Sequence, residues 1–76
     1  MRITIKELTD KMVDYTVCAN DNVAYLKNLI EERRDIPTYQ QKLFFDKKQL
    51  EDGKTLGEYN ITDGSIVFLV HKLYGC

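Results

Sequence analysis

With 76 residues, 43% of them hydrophobic, the chain is expected to form one domain, and a domain this small buries only about 60% of its unfolded surface. Eleven basic side chains against twelve acidic ones leave a formal charge of -1, which offers no general attraction to nucleic acid or anionic lipid, so charged recognition has to be local. No apolar run approaches the roughly 20 residues that cross a bilayer, no apolar leader opens the chain, and Cys18 and Cys76 have the spacing of neither a disulfide framework nor a zinc site. The expectation is a soluble monomer of the reducing cytosol or nucleus, without metal or cofactor.

Met1, Ile3 and Ile5 alternate with Arg2, Thr4 and Lys6, the period of two expected of a strand with one buried face. Leu8 to Lys11 reads as a turn. From Met12 onward Val13, Tyr15 and Val17 form a second inward face, so the first two segments predict a β-hairpin. Asp21 or Asn22 is the candidate N-cap of a helix whose apolar face is Val23, Leu26 and Ile30. The helix should stop near Asp35, because Ile36 precedes Pro37 and a residue before proline is driven out of the helical region. Asp35 stands where glycine would relieve a left-handed cap.

Leu43–Phe45 and Lys48–Leu50 are short strand candidates around a turn at Asp46 and Lys47, and Asp52-Gly53 and Asp63-Gly64 are further turn signals. A last strand is expected from Ser65 to about Lys72. The order ββ, α, then ββ and a final strand predicts an α+β domain of the β-grasp kind, a mixed five-stranded sheet on one main helix. Its expected extent is residues 1–72, with 73–76 as a flexible tail.

The final strand is apolar on both sides. Val67 and Leu69 take one face, while Ile66, Phe68 and Val70 take the other. One helix covers only one face of a sheet, so the second face is expected to stay open. Phe44 should point to that open face if Leu43 enters the core, and Leu8 could join its edge. Against this stands the bland reading, in which these are single half-exposed hydrophobes.

A patch of about 400 Å² at roughly 25 cal/mol per Å² supplies on the order of 10 kcal/mol. Association costs of at least ~4 kcal/mol offset much of that, so a reversible partner of about micromolar affinity is expected. Lys6, Lys42, Lys47, Lys48, His71 and Lys72 are expected to flank the patch and favour an acidic rim on the partner.

The matching pieces Leu8-Thr9, Lys11, Lys27, Ile36-Pro37, Gln40-Gln41, Leu43, Phe45, Lys48 to Gly53, Thr55-Leu56, Tyr59 to Ile61, Leu69-Val70, Leu73 and Gly75 run the length of the chain without insertions. On these, and above all on QLEDG followed by TL and YNI, the chain resembles the ubiquitin superfamily. The resemblance implies a recognition face at Leu8, Phe44, Phe68 and Val70, with Phe44 in place of isoleucine and Phe68 in place of histidine. The face is more aromatic, which should alter partner selectivity.

Lys6, Lys11, Lys27 and Lys48 match lysines that ubiquitin uses as isopeptide acceptors, whereas Leu29, Arg33 and Asp63 do not. Lys48 is the favoured acceptor beside Lys11 and Lys6, and the bland reading makes it a solvated rim lysine. Lys27 lies on the apolar side of the helix, where the family suggests a pairing with Asp52. The resemblance is weakest at the end, since modifiers of this type finish with two glycines and are activated as an acyl adenylate. Here Gly75 is kept, but Cys76 adds a Cβ at the reacting residue and Tyr74 replaces an arginine.

Cys18, Cys76 and His71 lack the neighbours that would make a nucleophile or a general base, so no catalysis is expected. Two functions follow from the open apolar face together with what the resemblance implies. One is a non-catalytic module docking ubiquitin-binding domains, ubiquitin-pathway enzymes or proteasome-linked receptors through Leu8, Phe44, Phe68 and Val70, with Lys48 and His71 at the rim. The other is a covalent modifier conjugated through Gly75 and Cys76.

Overall fold

A computed structural model describes residues 1–71. The expected role of Lys72 and the expected tail, with Leu73, Tyr74, Gly75 and Cys76, lie outside the described residues.

Strand β1 (Arg2–Glu7) pairs antiparallel with β2 (Met12–Thr16), in a register that sets Ile3 opposite Tyr15 and Ile5 opposite Val13. The connection is a three-residue hairpin loop: Asp10 N–H donates to Glu7 O at 3.0 Å, Glu7 N–H to Lys11 O at 2.9 Å, and Asp10 takes a left-handed φ of 66°. Leu8 is thereby placed at the tip, beyond the end of the sheet.

Helix α1 (Val23–Arg34) starts at Asn22, whose side chain accepts a hydrogen bond from Tyr25 N–H at 2.8 Å. The other candidate cap, Asp21, instead accepts from Cys18 N–H at 2.8 Å. Val23, Leu26, Lys27 and Ile30 form the buried stripe, and Arg33 and Arg34 place positive charge at the C-terminal end, where the helix dipole favours it. Asp35 closes the helix at φ 59°, its N–H bonded to Glu31 O, in the left-handed conformation expected from the sequence.

A 3₁₀ turn (Thr38–Gln40) leads into β3 (Gln41–Phe45), which folds back as β4 (Lys48–Gln49) through Asp46 and Lys47, both at positive φ. A second 3₁₀ turn (Gly57–Tyr59) precedes β5 (Ile66–His71). The sheet order is β2-β1-β5-β3-β4, with β1 and β5 parallel and the remaining pairs antiparallel. This is the α+β, β-grasp arrangement: a mixed five-stranded sheet on one main helix.

Several boundaries differ from expectation. Strand β1 runs one residue further, to Glu7, and β3 begins at Gln41 rather than Leu43, because Gln41 and Lys42 pair with His71 and Val70 of β5; the buried Gln41 amide donates to Lys27 O and Ile36 O, both at 2.9 Å. Leu50 leaves β4 to enter the core, and β5 begins at Ile66 after Ser65.

The core lies between the sheet and α1. Ile3, Ile5, Tyr15 and Val17 from the hairpin meet Val23, Leu26 and Ile30 from the helix and Leu43, Val67 and Leu69 from the central strands, with Leu50, Leu56 and Ile61 closing the far end. Lys27 is the charged member of the buried stripe, its Nζ 2.7 Å from Asp52 Oδ1. The aliphatic stem is packed while the ammonium reaches a carboxylate at the surface.

Candidate functional site: the open face of the sheet

Alternation along β5 and β3 decides what the open face carries. Val67, Leu69 and Leu43 are buried against the helix, so Ile66, Phe68, Val70, Lys42 and Phe44 point the other way. Register then assembles them into rows. Lys6 stands opposite Phe68, Phe68 opposite Phe44, and Phe44 opposite Gln49, a single row crossing four strands. One row along, Lys42 stands opposite Val70, and on the other side Thr4 stands opposite Ile66.

Phe68 is 50% exposed and Ile66 42%, while Phe44 and Val70 are half-buried. Leu8, one residue past the Glu7–Leu69 pair, is 67% exposed at the turn tip. The centre of the face is thus a cross-strand pair of aromatic residues, Phe44 opposite Phe68, with aliphatic neighbours. Lys6 and Lys42 flank it with positive charge; Lys6 Nζ is 3.8 Å from the exposed Asp10 carboxylate.

Two expected rim residues are placed elsewhere. His71 shares the parity of Leu69, not Phe68; it stands opposite Gln41, and its Nε2 lies 2.6 Å from Gln40 Oε1. Lys48 stands opposite the half-buried Phe45 rather than Phe44, on the edge strand, in a groove with Gln49, Glu51, Lys54, Glu58 and Tyr59. Both corrections follow from period-two alternation, which moves a residue one step along a strand to the other face. Lys11 is exposed in the hairpin connection, apart from the aromatic row.

A cleft of about 40 Å³ that no local sequence pattern marks lies between the β1–β2 turn and the segment leaving α1, lined by Glu7, Leu8, Thr9, Ile36, Leu69 and His71. In the sequence, Ile36 before Pro37 signals only a helix stop. Leu8 therefore borders both the cleft and the end of the open face. Arg34 spans the same corner and forms an ion pair with Glu7, whose hydrogen bonding raises the Arg34 pKa above its ordinary value.

On the covered side, Arg33 lies over the Tyr15 ring, 4.6 Å from its centroid, and donates to Asp14 O at 2.7 Å. The Tyr15 hydroxyl is buried and has no hydrogen-bond partner among the described residues. Burial pushes its pKa up from the ordinary 10.0, against the pull of Arg33.

Among the described residues no group of histidine, cysteine, aspartate and glutamate is arranged to hold a metal ion, and the described cysteine, Cys18, is an exposed free thiol. What the site offers chemically is apolar area, ring faces and cations.

Residues 3–74 match the profile of the ubiquitin family. The chain is 39% identical to the ubiquitin-like protein NEDD8 of Dictyostelium discoideum over 75 residues, 99% of this chain and 97% of the relative. It is 37% identical to the NEDD8-like protein RUB3 of Arabidopsis thaliana, over 99% of this chain and 96% of that one. The UV excision repair protein RAD23 homolog of Dictyostelium discoideum is 41% identical across 95% of this chain, which spans 21% of that longer protein.

Proposed function

The chain belongs to the ubiquitin family, and from that premise we propose that it works as a non-catalytic docking module, engaging ubiquitin-binding domains, ubiquitin-pathway enzymes or proteasome-linked receptors of the cytosol or nucleus. The observation carrying this reading is the row Lys6–Phe68–Phe44 on the face that α1 leaves uncovered. Large rings supply contact area at a small cost in conformational entropy, and the lysines select a partner with an acidic rim. The match to part of the RAD23 homolog supports use of this fold as one module of a longer protein.

The test is titration of a ubiquitin-binding domain against the parent protein and its Phe44→Ala and Val70→Ala forms. Affinity is expected to fall by about tenfold or more for Phe44→Ala, as for a ring at the centre of an interface. Unchanged affinity in both variants would sink the assignment.

A second reading is a covalent modifier, favoured by the alignment over 99% of the chain with NEDD8 and a NEDD8-like protein. Gly75 and Cys76 would then form the reacting end, with Lys48, Lys11 and Lys6 as candidate isopeptide acceptors. ATP-dependent thioester formation with ubiquitin-type activating enzymes, on protein with its native C-terminus verified by mass, tests it. No thioester with any of them removes this reading and leaves the docking reading standing.

A further inference from the structure

One ion pair joins the two walls of the Leu8–Ile36 cleft. Glu7 ends β1 and precedes Leu8 in sequence; Arg34 ends α1 and stands two residues before Ile36. Arg34 Nε donates to Glu7 Oε2 at 2.6 Å and Nη2 to Oε1 at 3.3 Å, so one planar fork holds both carboxylate oxygens. The Glu7 side chain is 14% exposed and that of Arg34 32%, so the carboxylate is largely covered while the guanidinium stays in part at the surface.

The rest of the turn has weaker side-chain support. Lys6 and Asp10 are 3.8 Å apart on an exposed carboxylate, and Asp10 itself occupies the left-handed region that glycine prefers. Leu8, which both the cleft and the open face would use, hangs from this turn.

We propose that Glu7 and Arg34 form a clasp that positions Leu8, fixing the spacing between the turn and the helix exit and with it the direction in which Leu8 is presented. The clasp rests on the docking reading, because the position of Leu8 affects function only where a partner takes it up. Arg34 is a positioning residue: its action on the partner passes through Leu8. The same pair discriminates among partners, since one that needs Leu8 depends on it and one that uses only Phe44 and Phe68 does not.

The experiment has two readouts on the parent, Arg34→Gln, Glu7→Gln and the exchanged pair Glu7→Arg with Arg34→Glu, after thermal melts establish that each is folded. The first is NMR relaxation of the Leu8 methyl groups, which needs no partner. Their order is expected to fall in both single variants and to recover in the exchanged pair, while the methyls of Val67 stay unchanged. The second is titration with a ubiquitin-binding domain that binds the parent and loses affinity on Leu8→Ala. Arg34→Gln should weaken it by about fivefold, and by much less when Leu8→Ala is already present, the coupling expected of residues acting in series.

Leu8 methyls as ordered in Arg34→Gln as in the parent would overturn the clasp, as would an equal affinity loss with and without Leu8. A parent that binds no ubiquitin-binding domain overturns the docking reading instead, and methyl relaxation still decides whether the clasp exists.

Discussion

The two faces of the central sheet are built from alternate residues of the same strands, yet they answer to different demands. Leu43 and Phe44 are sequence neighbours; the first is fully buried against α1, and the second stands opposite Phe68 on the open side. On the covered face, shape and volume are constrained by close packing. On the open face a ring loses little by being removed and gains by meeting another surface. Apolar character alone does not say which role a residue has; its parity along the strand does.

The largest effect should come from breaking the covered face. Leu43→Ala is expected to destabilise the fold by about 2–5 kcal/mol in urea unfolding, through lost burial and the cavity left behind. Phe44→Ala, one residue away, is expected to cost less than about 1.5 kcal/mol in the same measurement while giving the larger loss in partner titration. Comparable unfolding costs for the two would erase the distinction between the faces.

A smaller effect should come from Tyr15→Phe, which removes the unpartnered buried hydroxyl and is expected to stabilise by about 1 kcal/mol at neutral pH. The neutral phenol is favoured in the folded state, so the raised pKa contributes stability below the ordinary value of 10.0 that is lost as pH rises through the folded value. Alkaline unfolding should therefore begin at higher pH in Tyr15→Phe, as followed by circular dichroism from neutral pH to above about pH 11.

The smallest effect belongs to the hairpin at the margin of the open face. Asp46 and Lys47 have φ of 53° and 65°, a turn geometry in which glycine is preferred at the second position. Lys47→Gly is expected to stabilise by about 0.5–1 kcal/mol in thermal unfolding and to leave affinity within about twofold, apart from a shallower salt dependence. A large affinity loss would bring Lys47 into the interface.

Most of this architecture is legible in the sequence because local patterns and packing agree. Alternation in β1, β2 and β5, the Asn22 start and Asp35 stop of α1, and the open aromatic face all follow from one- or two-residue rules. Gln41 is hidden from such rules: a polar side chain suggests loop, and only two carbonyls, one from α1 and one just beyond it, explain its burial. The Glu7–Arg34 pair spans 27 residues, so no local window contains both partners. His71 differs for another reason: a polar side chain in the last strand suggests a rim, while its parity with Leu69 puts it beside the cleft.

The buried stem of Lys27 has a consequence for reactivity. Its amine is paired with the Asp52 carboxylate at 2.7 Å and its side chain is 11% exposed, so an acylating reagent meets a mostly covered, ion-paired amine and reacts faster when the helix separates from that loop. Lys11, Lys47 and Lys48 are exposed and need no such event. In a timed labelling experiment Lys27 would be the last of these to react, and its rate would act as a clock for local opening of the domain.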